Sequence, residues 1–477
     1  MMLSVSLILA AVVPAAPFSD HAVLQRERPV PVWGQADPGE KVKVSFAGVT
    51  KETAADSHGW WRVDLPAMAA SAEGRDLVIN DKTIRDVLVG EVWMCSGQSN
   101  MEVPLVGSSP RARDRQGGMV SAMTRLPKVR FMNANDLRPS PVPVKMPEKN
   151  FAWKELSPEN TGGPEAFSAI GYYFARELHV ALGLPVGIVG VYYGGTRIEP
   201  WMPKEGFDSV PNGARLLELG VNRKDKRPHQ EPLCCWNRLV EPFVPMAMRG
   251  LVWYQGCSNA GDGKDTYCDL MHAFYNGWSK RFENPQMRLY FAQLSAFRGT
   301  FYAIQLAQAK FAREEKNAGM VVTADAGNLF DIHPNEKEIV ARRLVLLALA
   351  RDYGFALDPE SPLFASGKVD GDKVTLVFDH AKGLYHFRPD WTEESGFELA
   401  GADGVFKPAK ILNFKPDYNS KGQLRRPNGV LTGEREIVLA AEGVAAPAKV
   451  RYLAKTPFLP CFFNELNLPL GAFEADL

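Results

Sequence analysis

Two side chains in this 477-residue chain have the types and neighbours that acyl transfer needs: the serine of Ser96-Gly97-Gln98-Ser99-Asn100 and the histidine of Asp331-Ile332-His333-Pro334. A neutral hydroxyl is a weak nucleophile until a base within hydrogen-bond reach takes its proton, and an imidazole serves best when a carboxylate fixes its tautomer. Ser99 is therefore the candidate nucleophile, His333 its base and Asp331 the orienting acid, with Asp325 as the rival acid. The tetrahedral oxyanion needs donors aimed at it. The backbone N–H groups of Ser99 and Gly195 supply two, and the side-chain amide of Gln255 or Asn259 a third. Arg197 and Trp201, just beyond Gly194-Gly195-Thr196, are candidates to border the substrate. Met101 stands where the G-x-S-x-G elbow of α/β-hydrolases has its second glycine, so this serine belongs to another kind of turn.

These groups need a scaffold that delivers them to one rim. From Val89 to about Leu357 apolar strands alternate with helices, the pattern of a parallel sheet covered by helices. "VLVGEVWMCS", "PVGIVGVYY", "GLVWYQ", "RLYFAQLS" and "GMVVTAD" read as strands, and the first three run directly into the serine, glycine and amide motifs. In open parallel sheets ligands bind beyond the carboxyl ends of the strands, which is where these motifs fall. "AIGYYFARELHVALG" reads as a helix stopped by Gly183, and "EIVARRLVLLALARDYG" as a second. Residues 17–88 and 358–477 read instead as short strands between Gly, Asp and Pro turns, a β module at each end that could pack together as one sandwich. Val103 to Asn150 and Lys204 to Pro232 lack strong periodicity and are expected to be long lids or substrate walls.

Composition narrows the function classes. Fifty-five basic residues balance 55 acidic ones, which leaves no electrostatic footprint for nucleic acid or an anionic membrane face. The six cysteines are too few for a disulfide framework; at most one bridge, from Cys234 or Cys235 to Cys257 or Cys268, is expected. No H-E-x-x-H or C-x-x-C spacing points to a metal, and no cofactor is expected. Residues 1–16 carry an apolar run ending in small residues, as an export leader would, although no Lys or Arg precedes it. A secreted or periplasmic enzyme with a 16-residue leader is the expectation.

"GEVWMCSGQSNMEVPL", "YYGGTRIEPWMP", "RGLVWYQGCSNAG" and "DIHPNEKEIVARRL" together resemble the sialate O-acetylesterase family, a branch of the SGNH hydrolases. The resemblance runs over nearly the whole chain and its four blocks come in the family's order. It implies a flavodoxin-like three-layer α/β/α catalytic domain at 89–357 with accessory β-sandwich segments at both ends, and metal-free hydrolysis of O-acetyl esters on sugars. It also matches Ser99 to the family nucleophile, His333 to the base, Gly195 to the oxyanion glycine and Gln255 to Asn259 to the amide block. Two departures stand out: Cys257 replaces the glutamate of Q-G-E-S-N, and Asp331 lies two places before His333 where relatives read D-x-x-H. The expected partner is an O-acetylated sugar or glycan, sialic acid first. An acetylxylan or other polysaccharide deacetylase is the nearest alternative, and a carbohydrate-binding protein with a decayed ester site the other.

Overall fold

The computed structural model describes residues 12–107, 113–134, 137–147, 151–162, 167–224, 226–298, 301–387, 395–415, 420, 428–431, 435–454, 460 and 462–477. The chain forms two compact units, Met1–Trp253 with His272–Leu289, and Tyr254–Met271 with Tyr290–Leu477.

The first unit is organised by one strand, Lys82–Gly97. Its early residues alternate buried and exposed, as a half-covered antiparallel strand does, and pair with Ser71–Ile79. From Val87 onward every residue is buried, which is the signature of a parallel strand covered on both faces. There it pairs in parallel with Val23–Gln25 through Leu88–Gly90 and with Val186–Tyr192 through Glu91–Gly97. The expected border at 88/89 therefore falls inside a continuous strand, where its neighbours change. Across the sheet of this unit the order is Lys154–Leu156, Leu126–Asn133, Val186–Tyr192, Lys82–Gly97, Gly250–Tyr254.

The helix Ala169–Leu182 packs on Val186–Tyr192 and Leu126–Asn133. It begins where Ser168 Oγ accepts the Gly171 N–H (3.2 Å), and it stops at Gly183, whose φ of 67° suits a residue without a side chain. Ile170, Phe174 and Leu178 recur on its buried stripe.

Val103 to Asn150 is not a plain wall. It holds the helix Gly117–Ala122 and the strand Leu126–Asn133, a member of the sheet. The strand was hidden in the sequence by Arg130, only 1 % exposed, whose guanidinium reaches Asp86 at 2.8 Å and so places a charge in an otherwise apolar run. Lys204 to Pro232 likewise contains the helices Lys204–Phe207 and Gly213–Val221. Residues 1–11 of the expected leader lie outside the described residues. Val12 and Ala15 are buried, and Val13–Pro14 pairs with Val30–Gln35, which in turn pairs with Trp60–Leu65.

In the second unit Arg288–Ala292 is followed in the sheet by Ala318–Val321, against which the helices Tyr302–Glu314 and Lys337–Asp352 pack. After Pro359 the expected β character appears as a seven-stranded sheet that includes Lys373–Asp379, Phe397–Ala400, Glu436–Ala441 and Lys449–Tyr452, with a separate four-stranded sheet. Val374, Leu376 and Phe378 alternate inward along the first of these, facing Ile437 and Leu439 of its neighbour.

Candidate active site

In the first unit, Lys82–Gly97 delivers its last residue into a sharp turn. Gly97 has φ 143°, a conformation that a residue with a side chain rarely adopts, and Ser99 opens the one-turn helix Ser99–Glu102 directly after it. Ser99 is partly exposed while Asn100 and Met101 are buried, so the turn presents the hydroxyl and anchors the residues after it. Met101 fills the place of the missing second glycine with a core side chain, its sulfur accepting from Ser168 Oγ at 3.5 Å.

The end of Val186–Tyr192 lies beside this turn. A Cβ on Gly194 would come within 3.5 Å of Ser99 Cβ and 2.7 Å of Glu102 Oε2, so only glycine permits that approach. Glu102 is substantially buried, and burial raises its pKa while the Gly194 N–H it accepts and the charge of Arg138 oppose the rise. Gly195 has φ 72°, and its carbonyl accepts the Gln230 side-chain amide at 2.9 Å. The loop beyond is stapled beneath by Thr196, whose hydroxyl donates to Tyr193 O (2.7 Å) and accepts from the Trp201 indole N–H (3.0 Å).

That staple corrects the expectation for two residues. Trp201 is 0 % exposed and its carbonyl accepts the Trp278 indole N–H, so it packs in the core instead of presenting a face to solvent. Arg197 is also buried, its Nε donating to buried Glu199 at 3.2 Å. Both turn inward because the polar loop needs partners for its own buried groups.

Gly250–Tyr254 runs into Gln255 and a short 3₁₀ turn of the second unit, Cys257–Asn259. Gln255 and Asn259 are fully buried in a directed chain: the Tyr267 hydroxyl donates to Gln255 Oε1 (2.7 Å), Gln255 Nε2 to Asn259 Oδ1 (2.8 Å), and Asn259 Nδ2 to Asp262 (2.8 Å). Both amides are thereby locked in orientation. Cys257 is partly exposed, and Cys234, Cys235, Cys257 and Cys268 are free thiols, so the expected bridge is not formed.

His333 and Asp331 also belong to the second unit. Asp331 Oδ1 accepts the His333 main-chain N–H at 2.9 Å but stands 3.9 Å from His333 Nδ1, too far for a hydrogen bond to the ring. Burial and then the charge of Lys337 hold the imidazole below its ordinary pKa, with Asp331 pulling the other way. The rival Asp325 is committed elsewhere, since both of its oxygens accept from Arg343 at 2.7 Å. Among the described residues of the first unit, His21, Asp86 and Glu155 bring possible metal-ligating atoms together. The Arg130 guanidinium already places a cation on the two carboxylates, at 2.8 and 3.5 Å.

The structure thus brings Ser99 together with Gly194 and Gly195 in one unit, and Gln255 with Asn259 and Asp331 with His333 in the other. Sequence reasoning placed His229 in an irregular stretch where it could line a pocket, and missed Glu102, Arg138, Tyr193, Arg227 and Gln230. Glu102 carried a signal, lying one helical turn after Ser99, and Tyr193 directly follows a strand; the others come from segments without periodicity.

The sequence profile of the carbohydrate esterases described as sialic acid-specific acetylesterases matches residues 89–340. A sialate O-acetylesterase from Homo sapiens is 27 % identical over 392 residues, covering 71 % of each chain, and one from Rattus norvegicus is 26 % identical over 402 residues, covering 71 % of this chain and 73 % of that one. The crystal structure of a carbohydrate acetylesterase from Xanthomonas citri superposes with a TM-score of 0.80 at 30 % identity, over 98 % of this chain and 99 % of that one. The α/β fold and these likenesses define a carboxylic ester hydrolase that removes O-acetyl groups from sugars. The chain belongs to the sialic acid-specific acetylesterase family of carbohydrate esterases.

Proposed function

We propose that deacetylation runs through an acetyl-Ser99 intermediate on an SGNH-type three-layer scaffold with β-sandwich accessories, and that O-acetylated sialic acids are the first substrates. The observation that carries the nucleophile is the Ser99 turn: a partly exposed hydroxyl at the end of a buried parallel strand, with Gly194 and Gly195 beside it. His333 takes the Ser99 proton as Oγ bonds to the acetyl carbon. The negative charge moves to the carbonyl oxygen, where the N–H groups of Ser99 and Gly195 and the amide of Gln255 or Asn259 receive it. Collapse breaks the bond to the sugar oxygen, which takes the proton from His333. Water then gives its proton to the same imidazole, attacks the acetyl-serine and releases acetate, regenerating Ser99. A neutral His333 is the form this needs, and its depressed pKa favours that form. Asp331 steadies the charged ring through space from 3.9 Å and fixes the turn that carries it. Export to the periplasm or beyond, after removal of a leader, fits the apolar start of the chain.

The test is Ser99→Ala with a panel of acetyl esters. Turnover of an acetyl-ester dye and of O-acetylated sialic acid should fall about 10⁴-fold or more while the thermal melt is unchanged. Near-normal turnover in the folded variant would overturn the mechanism. Wild-type preference for acetylxylan in the panel would overturn the substrate.

A further inference from the structure

A polar rim of the first unit borders Gly195, and its Arg138 lies near enough to Glu102 for its charge to act on that acid. Arg138 Nη1 lies 3.3 Å from the Tyr193 hydroxyl, its guanidinium 5.7 Å from the centre of that ring. The Tyr193 ring is 5.4 Å from the His229 ring. A Cβ on Gly195 would lie 3.3 Å from His229 Nε2 and 3.9 Å from Arg227 Nη1. The order around the nucleophile is therefore an acid, Glu102, against Gly194, and a cation with an imidazole against Gly195.

Three features suggest that this rim is built for a ligand. Arg138 and Arg227 reach no carboxylate within 4 Å among the described residues, as is also true of Arg28, Arg85 and Arg238 of the same unit, but these two stand beside the glycine pair while Arg26, Arg130 and Arg249 are spent on carboxylates. His229 Nε2 is shielded from solvent beside the Gly195 main chain, whose interaction with the ring is too poorly aligned to count as a full hydrogen bond, so the ring keeps capacity for a better-placed partner. Arg227 and His229 are also held in place: Gln230, on the same short 3₁₀ turn, accepts the Arg227 N–H at 3.0 Å and donates to Gly195 O at 2.9 Å. The oxyanion glycine and the cation are thus tied through one side chain.

We propose that Arg227, with His229 and Arg138 beside it, reads a carboxylate on the acetylated sugar, and that Arg227 is the residue that sets the preference for acidic over neutral substrates. This rests on Ser99 being the nucleophile. A guanidinium presents a planar fork matched to a carboxylate, and the neutral His229 ring offers one further N–H. Burial first, and the neighbouring Arg227 charge second, keep His229 below its ordinary pKa, so the rim carries arginine charge and an uncharged ring. Glu102 accepts the Gly194 N–H and feels the Arg138 charge, while its burial raises its pKa, which limits the negative charge it places against an incoming carboxylate.

The test compares O-acetylated N-acetylneuraminic acid with the methyl ester of its carboxylate, which removes the charge and adds one methyl group, a steric change that the Arg227 variants share with the wild type. The wild-type enzyme should favour the acid in kcat/KM by about tenfold to a hundredfold, the range of a charge-assisted hydrogen-bond pair. Arg227→Gln should collapse that ratio towards one and Arg227→Lys should restore part of it. Added salt should lower the ratio in the wild type more than in Arg227→Gln. A wild-type ratio near one, or a ratio that survives in Arg227→Gln, overturns the proposal while leaving the esterase reading intact. Wild-type turnover that persists in Ser99→Ala would remove the mechanism on which it rests.

Discussion

Replacing Asp331 with asparagine separates through-space support of His333 from a hydrogen bond to its ring. The carboxylate oxygen stands 3.9 Å from His333 Nδ1, and the two side chains are 40 % and 37 % exposed, so solvent screens their interaction. Two unit charges at that separation attract by about 1 kcal/mol in a water-like dielectric, which is about fivefold in rate when the imidazole becomes charged in the transition state. Asparagine keeps an oxygen to accept the His333 main-chain N–H, so the local turn should survive. The expected result is a fall in kcat of about fivefold with KM nearly unchanged. The acid limb of kcat/KM should also move to lower pH, because Asp331 is the group that raises the His333 pKa. Initial rates on an acetyl-ester dye across the acid limb, with thermal melts to check folding, measure both. A loss of about a thousandfold or more would show that the carboxylate closes onto the ring during reaction, as in a full triad. No change in kcat or in the acid limb would show that Asp331 only shapes the turn.

Lys337→Met should move the same acid limb to higher pH, since the Lys337 charge depresses the His333 pKa; an unmoved limb would mean that His333 is not the base. Asp325→Asn should cost about 3–5 kcal/mol of stability by stranding Arg343, only 5 % exposed, while the folded fraction keeps nearly full kcat. A crippled kcat in a stable protein would make Asp325 the catalytic acid after all. Activity should survive strong chelators, because amide donors stabilise the oxyanion without a Lewis acid; a loss restored by zinc would contradict this. If the chain is exported and trimmed, N-terminal sequencing should place the cut before Val12, because removing Val12–Ala16 would strip a paired strand and two buried side chains; a mature start at Pro17 would contradict this.

The exposed serine turn, the parallel-sheet core and the β-rich ends were legible because each has a local cause. A serine follows a largely apolar run, and a helix starts after Ser168 and stops at Gly183. The strand Leu126–Asn133 was not legible, because Arg130 finds its compensating carboxylate 44 residues away at Asp86, a pairing that no window of sequence contains. Trp201 was misread for the opposite reason. Its position beside a polar motif suggests a sugar-facing aromatic, and only the fold shows that Thr196 and Trp278 draw it into the core. The Arg227–His229 rim shows no periodicity, and its meaning depends on which glycine it lies against.

The unbroken strand Lys82–Gly97 makes the amino-terminal β segments inseparable from the chemistry. The family profile matches from residue 89, which invites excision of a minimal catalytic fragment from that point. Such a cut would take away Val23–Gln25 and Leu88, leaving Val89 and Gly90 without their parallel neighbours, and would remove the Gln25 oxygen that accepts the Val92 N–H at 2.9 Å. It would also remove Arg26, one of the two arginines that neutralise fully buried Glu91, so that Arg249 alone would face that carboxylate eight residues before the nucleophile. The fragment would open a fresh, sticky sheet edge just upstream of Ser99. Grafting or swapping of the hydrolase core among related enzymes must therefore carry the β segments before residue 89 with it, as a single inherited piece.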